Sequence, residues 1–128
     1  MIMEIDFITS NKGKIAALKR SFLNAGRFDI KVNQVQADIV EPQLNNIADV
    51  SKYKAMEAFK ILKKPILVED GGLVIEALNG FPGPYTKYVL STIGINGILK
   101  LMNGENNRAA KFVSFATFVG NDGTVCPF

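Results

Sequence analysis

Apolar and polar residues alternate along this chain in short blocks whose spacing separates strands from helices. Ile5 and Phe7 stand two apart and Ile8 closes the run, which predicts a first strand over Ile2 to Ile8. Thr9, Ser10 and Asn11 break it. Ile15, Leu18, Phe22 and Ala25 then recur at helical spacing, predicting a helix from about Lys12 or Gly13 to Gly26. Phe28, Ile30 and Val32 alternate as a second strand, and Asp38 to Asn46, with Pro42, reads as a loop. A second helix is expected from about Ile47 to Ile61 on a stripe of Ile47, Val50, Ala58 and Ile61. Lys54 falls on that same stripe. Ile66, Leu67 and Val68 form a continuous apolar run, the mark of a strand buried on both faces, ending in Glu69-Asp70-Gly71-Gly72. Leu73 to Leu78 reads as a separate returning strand, and Asn79 to Tyr85, with Pro82, Gly83 and Pro84, as a turn. Short helices are expected over Lys87 to Ser91 and Asn96 to Met102. A strand follows over Lys111 to Val119, then a hairpin turn at Asn121-Asp122-Gly123 and a partner strand beginning at Thr124. The early strand–helix–strand–helix–strand order predicts a layered α/β fold.

Composition narrows the chemistry. At 128 residues and 48% hydrophobic, the chain has material for one core rather than two domains. A formal charge of +3 argues against the broad basic surface of a nucleic-acid-binding module but leaves room for a local anionic ligand. With no His and a single Cys, Cys126, a Ser-His-Asp triad, a Cys-His pair, a disulfide and a His- or Cys-built zinc site are all excluded within these residues. Glu4 and Asp6 interrupt the first apolar stretch, so no signal peptide is expected, and no apolar run reaches the ~18 residues of a membrane span. The expected compartment is the cytoplasm.

Four features carry candidate chemistry. Thr9-Ser10-Asn11-Lys12-Gly13-Lys14 joins the first strand to the first helix. It offers hydroxyls, backbone N–H groups and two lysines to an anion at a helix N-terminus. It matches neither a Walker A loop nor a GxGxxG fingerprint, and by residue type alone a capped polar turn is the slightly favoured reading. Glu69-Asp70-Gly71-Gly72 ends an apolar strand, where open α/β sheets bind ligands. Two neighbouring carboxylates there suit a divalent metal and a general base. Glu41 alone is an ordinary loop carboxylate. Lys54, on an apolar stripe, must either snorkel or meet an anion. Lysines for phosphates, carboxylates for Mg²⁺ and no usual covalent nucleophile together fit metal-assisted attack of water on a phosphoryl group.

The segments ITSNKGK (Ile8 to Lys14), VEDGGLVIEALNGFPGPYTKYV (Val68 to Val89) and GILKLM (Gly97 to Met102) resemble, in order, the inosine triphosphate pyrophosphatase (Ham1-like) family. The resemblance implies an elongated mixed β-sheet flanked by helices, with two lobes around a central nucleotide cleft. It also implies a homodimer that hydrolyses ITP, dITP and XTP to the monophosphate and pyrophosphate with Mg²⁺. Carried over by motif, Thr9, Ser10, Asn11, Lys12, Gly13 and Lys14 would hold the triphosphate. Glu41 would bind metal, Lys54 would face phosphate, and Asp70 would activate water and bind metal, with Glu69 as a second carboxylate. Gly71 stands where the family pattern has a substrate-binding Ser, so one hydroxyl contact is expected to be missing. The family pattern also runs on with a Gly-Tyr-Asp-Pro-type segment, a Lys and a Ser-His-Arg motif that hold base and phosphates. The expectation is therefore one domain over residues 1–128 without the family's C-terminal third. The alternative is a nucleotide-binding relative with little or no turnover.

Overall fold

The computed structural model describes residues 1–128. Five strands, β1 (Met3–Ile8), β2 (Ile30–Val35), β3 (Ile66–Ile75), β4 (Ala110–Val119) and β5 (Val125–Pro127), form one mixed sheet in the order β2-β1-β3-β4-β5. Four helices, α1 (Lys12–Asn24), α2 (Ile47–Leu62), α3 (Thr86–Thr92) and α4 (Gly94–Leu101), accompany it. β1 runs parallel to both neighbours, while β3, β4 and β5 are antiparallel.

Both crossovers begin at helices whose starts are written in the sequence. Asn11 caps α1, its side-chain oxygen accepting from Gly13 N at 2.9 Å and Lys14 N at 3.3 Å. Asn46 caps α2 in the same way, accepting from Ala48 N at 2.8 Å. α2 stops at Lys63, which takes a left-handed conformation at φ 52°.

Because successive strand residues point to opposite faces, the register assigns each helix a side of the sheet. Phe7, Leu67 and Val32 pack with Ile15, Leu18 and Phe22 of α1. Ile66, Val68 and Val119 pack with Ala55 and Ala58 of α2. A third cluster, Ile75, Val89, Ile98 and Met102, gathers at the far end of β3 with α3 and α4. Two packing centres thus sit under the first half of β3 and one under its far end.

Two expectations are corrected here. Leu73 to Leu78 is not a separate strand: β3 runs unbroken from Ile66 to Ile75, because β4 pairs with every one of its residues, Gly71 and Gly72 included. The buried stripe of α2 is Ile47, Val50, Ser51, Ala55 and Ala58, whereas Ile61 is exposed near the helix end. Ser51 lies on that stripe because its hydroxyl is paired with Thr117 Oγ1 at 2.8 Å, both side chains fully buried.

β1 reaches β3 only at Asp6↔Ile66 and Phe7↔Leu67. Past that point the segment Phe81 to Thr86, which contains the cis Phe81–Pro82 bond, takes over as the neighbour of β3. Val74 bridges to Pro82, Ile75 N–H donates to Phe81 O, and Leu73 N–H donates to the Thr86 hydroxyl at 2.8 Å. The handover leaves Glu69 and Asp70 between the end of β1 and this segment, beyond the carboxyl end of the parallel pair.

Candidate active site

The turn leaving β1 is held by its own side chains. Thr9 Oγ1 accepts from Asn11 N–H at 3.1 Å, and Gln34 Nε2 of β2 donates to Thr9 O at 3.1 Å. Ser10, Lys12 and Gly13 lie exposed around it, and Lys14 turns back toward β3.

On the α2 side, Lys54 brings the other candidates together. Its Nζ lies 3.1 Å from Asp70 Oδ1 and 3.1 Å from Glu41 Oε2. The lysine and Asp70 are mostly buried, while Glu41 reaches in from the loop before α2 with most of its side chain in solvent. Burial raises the Asp70 carboxyl above the ordinary carboxylate range. The neighbouring Lys54 ammonium opposes that shift without cancelling it, and Glu41 adds to it. Burial pulls the Lys54 ammonium down, but the Asp70 and Glu41 carboxylates outweigh it and its pKa ends above the ordinary lysine value. Asp70 Oδ2 is buried and accepts no hydrogen bond. Asp70 Oδ1 thus meets the Lys54 ammonium, while Oδ2 has no partner within the chain.

Glu69 departs from expectation. Adjacent strand residues diverge, so Glu69 projects to the α1 side while Asp70 projects to the α2 side. Glu69 Oε2 pairs with the Lys14 ammonium, and Glu69 Oε1 accepts from the Ser114 hydroxyl at 2.7 Å. The two carboxylates therefore serve two different lysines and are not a joint ligand pair. The period-2 rule of strands foretells this split once Glu69 and Asp70 are placed inside a strand rather than at its end. Ser114, which sequence reasoning passed over, is the direct cross-strand partner of Gly71 and stands on the same face. The hydroxyl expected to be missing at Gly71 thus has a neighbour one strand away.

A hollow of about 440 Å³ opens further along the α2 side of β3, lined among others by Asn45, Asn46, Val74, Phe81, Tyr85 and Phe115. None of Glu41, Lys54 or Asp70 lines it.

Lys54→Met tests the role of the central lysine. Removing the ammonium strands Asp70 without a counter-charge, at a cost of about 1–3 kcal/mol at neutral pH. The folded-state pKa of Asp70 then rises further above its unfolded value. The penalty is therefore absent at pH values below the unfolded carboxyl pKa and grows as pH rises through the folded one. Denaturant melts at pH 3.5 and pH 7.5 should show the deficit mainly at the higher pH. A deficit of equal size at both would place the cause in packing.

The α/β sheet thus carries lysine-held carboxylates beyond the carboxyl end of its parallel strands, beside a capped helix N-terminus, the place where open α/β sheets commonly take ligands. The Ham1 family model matches residues 5–127, and the chain belongs to that family. It is 46% identical over 112 residues to the dITP/XTP pyrophosphatase of Methanopyrus kandleri, covering 88% of this chain and 58% of that protein. To the dITP/XTP pyrophosphatase of Hyperthermus butylicus it is 42% identical over 115 residues, covering 90% and 59%. The chain thus spans somewhat under two thirds of the length of these curated relatives. Among solved structures, the Ham1 protein of Staphylococcus aureus superposes with a TM-score of 0.81 at 26% identity, covering 98% of this chain and 68% of that one. A nucleoside-triphosphatase / dITP/XTP pyrophosphatase from Mycobacterium abscessus shares the fold at a TM-score of 0.83 and 22% identity, covering 98% and 69%.

Proposed function

We propose that the chain acts as a nucleoside-triphosphate pyrophosphatase on purine nucleotides with non-standard bases (ITP, dITP and XTP), releasing the monophosphate and pyrophosphate. The observation that carries this is the Lys54 ammonium bridging Glu41 and Asp70 while Asp70 Oδ2 stays buried and unpartnered. The names of its relatives supply the substrate class.

In this reading the Thr9–Lys14 turn receives the phosphates on its lysines and the exposed Ser10 hydroxyl, the Gly13 and Lys14 N–H groups being held by the Asn11 cap. Lys54 offsets phosphate charge from the other side of β3. Asp70 Oδ2 takes a proton from the attacking water, and a carboxylate whose pKa is raised by burial is the better base for it. Water adds at the α-phosphorus, the bond from that phosphorus to the bridging oxygen breaks, and pyrophosphate departs.

A divalent cation fits this donor set. Glu41 and Asp70 offer hard carboxylate oxygens, one of them open, but no three acidic, Cys or His side chains converge. Mg²⁺ commonly uses one or two carboxylates and completes its shell with water and substrate phosphates. Bound there, it would neutralise charge developing on the leaving pyrophosphate. We assign Glu41 and Asp70 to it, and not Glu69. The reading further includes a single domain, a homodimer and a cytoplasmic setting. No helix is long and apolar enough to cross a membrane.

Incubation with ITP and Mg²⁺, followed by phosphorus NMR, tests the reading. The expected products are IMP and pyrophosphate. Orthophosphate with IDP would overturn the assigned bond cleavage, and nucleotide binding without any product would leave a binding protein.

A further inference from the structure

We propose that Ser114 is a positioning residue for Lys14: its hydroxyl fixes Glu69 across the space left by Gly71, and Glu69 in turn holds the Lys14 ammonium in one place against β3, beside the phosphate-binding turn. The proposal rests on the reading of Thr9–Lys14 as the triphosphate cradle, and it adds a residue on β4 to that cradle.

Three observations converge. Gly71 and Ser114 are directly paired across β3 and β4, so their side-chain positions adjoin on the α1 face. A Cβ at Gly71 would stand 3.2 Å from Glu69 Oε1, so the carboxylate lies over the glycine and uses the room that a side chain would take. Ser114 Oγ donates to that same oxygen at 2.7 Å, leaving Glu69 Oε2 to the Lys14 ammonium.

The physical effect is preorganisation. Lys14 sits in the first turn of α1 on a four-carbon stem, and more than a third of its side chain remains exposed. Untethered, such an ammonium samples many rotamers and loses that freedom when phosphate arrives. Tethered to a carboxylate that is itself fixed by a hydroxyl, it keeps two N–H donors for phosphate and gives up less entropy. Glu69 also needs the ammonium, since a loose carboxylate beside the turn would repel the polyphosphate.

The test uses the whole 128-residue chain and two readouts. In the first, acetic anhydride labels lysines and mass spectrometry compares Lys14 with the exposed Lys19 of the same helix. Ser114→Ala should speed Lys14 labelling severalfold against Lys19, and Ser114→Thr should not. In the second, calorimetry with tripolyphosphate in the absence of metal measures the cradle alone. Ser114→Ala should bind about 3- to 10-fold more weakly, with Ser114→Thr close to wild type. In a Glu69→Gln background, Ser114→Ala should cost nothing further, because the relay is already cut. Turnover of ITP should show the same loss in KM with kcat little changed. Unchanged Lys14 labelling, or an undiminished Ser114 effect in the Glu69→Gln background, overturns the proposal. Faster labelling with unchanged tripolyphosphate affinity would uphold the Ser114–Glu69–Lys14 linkage and overturn the cradle reading on which its purpose rests.

Discussion

Asp70→Asn should lower pyrophosphate release from ITP by about 10²-fold or more while leaving the melting temperature unchanged or raised. The two effects have opposite signs because one group serves both roles. Asp70 is mostly buried, its pKa is raised by that burial, and its Oδ2 has no partner. An acid whose folded-state pKa lies above its unfolded value costs the fold stability at every pH above that folded value, where the buried carboxylate must be charged. Asparagine removes the charge at nearly constant shape, and Lys54 keeps Glu41. Gone with the charge, in the proposed reading, are the base that would take the water proton and half of the carboxylate set that would hold the cation. Thermal melts and a pyrophosphate assay on the same preparation decide the matter. Wild-type turnover at saturating Mg²⁺ would remove Asp70 from the chemistry. Lost turnover with a large drop in melting temperature would make it a structural residue instead.

What was legible in the sequence follows the range over which each determinant acts. The starts of α1 and α2 were readable because their caps, Asn11 and Asn46, lie within three residues of the groups they satisfy. Lys54 is readable as an anomaly, a cation on an apolar stripe, and its partner Asp70 lies only 16 residues further along, on the next strand. The continuity of β3 was not readable. Two successive glycines ending an apolar run look like a turn, and only β4, contributed by residues far along the chain, makes them strand. A strand that ends there also places Glu69 and Asp70 in one site. Once the strand is continuous, its pleat sends them to opposite faces and to different lysines. Ser114 depends on register alone: a shift of one residue would turn it to the other face, away from Glu69. Ile61 is exposed although α2 still meets the core at Leu62: the stripe that reaches the sheet runs through Ala55, Ala58 and Leu62, and Ile61 lies one residue off it.

Gly72→Ala should destabilise the protein by about 2–4 kcal/mol, a drop of roughly 8–15 °C for a chain of this size. By strand propensity alone alanine should be no worse than glycine, so the loss must come from contact. A Cβ at position 72 would stand 2.2 Å from Gly83 O and 2.9 Å from Gly83 C, both backbone atoms, and 3.0 Å from Thr86 Oγ1. Backbone cannot swing aside as a side-chain tip can. Gly83 sits at φ +53°, and its carbonyl accepts from the Thr86 hydroxyl at 2.6 Å, while that hydroxyl accepts from Leu73 N–H at 2.8 Å. Making room means either pulling this segment off β3 and breaking those bonds, or bowing β3 itself. Asp70 lies two residues from the clash on the same face, so a bowed strand moves its carboxylate away from Lys54 and turnover falls with stability. Gly71→Ala is the control. Its Cβ meets the Val113 backbone O and Glu69 Oε1, both at 3.2 Å, tight contacts rather than the 2.2 Å overlap at Gly72, so each neighbour need give by only a few tenths of an ångström. Its melting temperature should stay within about 3 °C of wild type, as for an ordinary surface substitution. Melting curves of the two alanine variants side by side decide between contact and propensity. Equal losses would mean that glycine is needed in this strand for its flexibility, and that the close seating of Gly83 on Gly72 does not hold the segment in place.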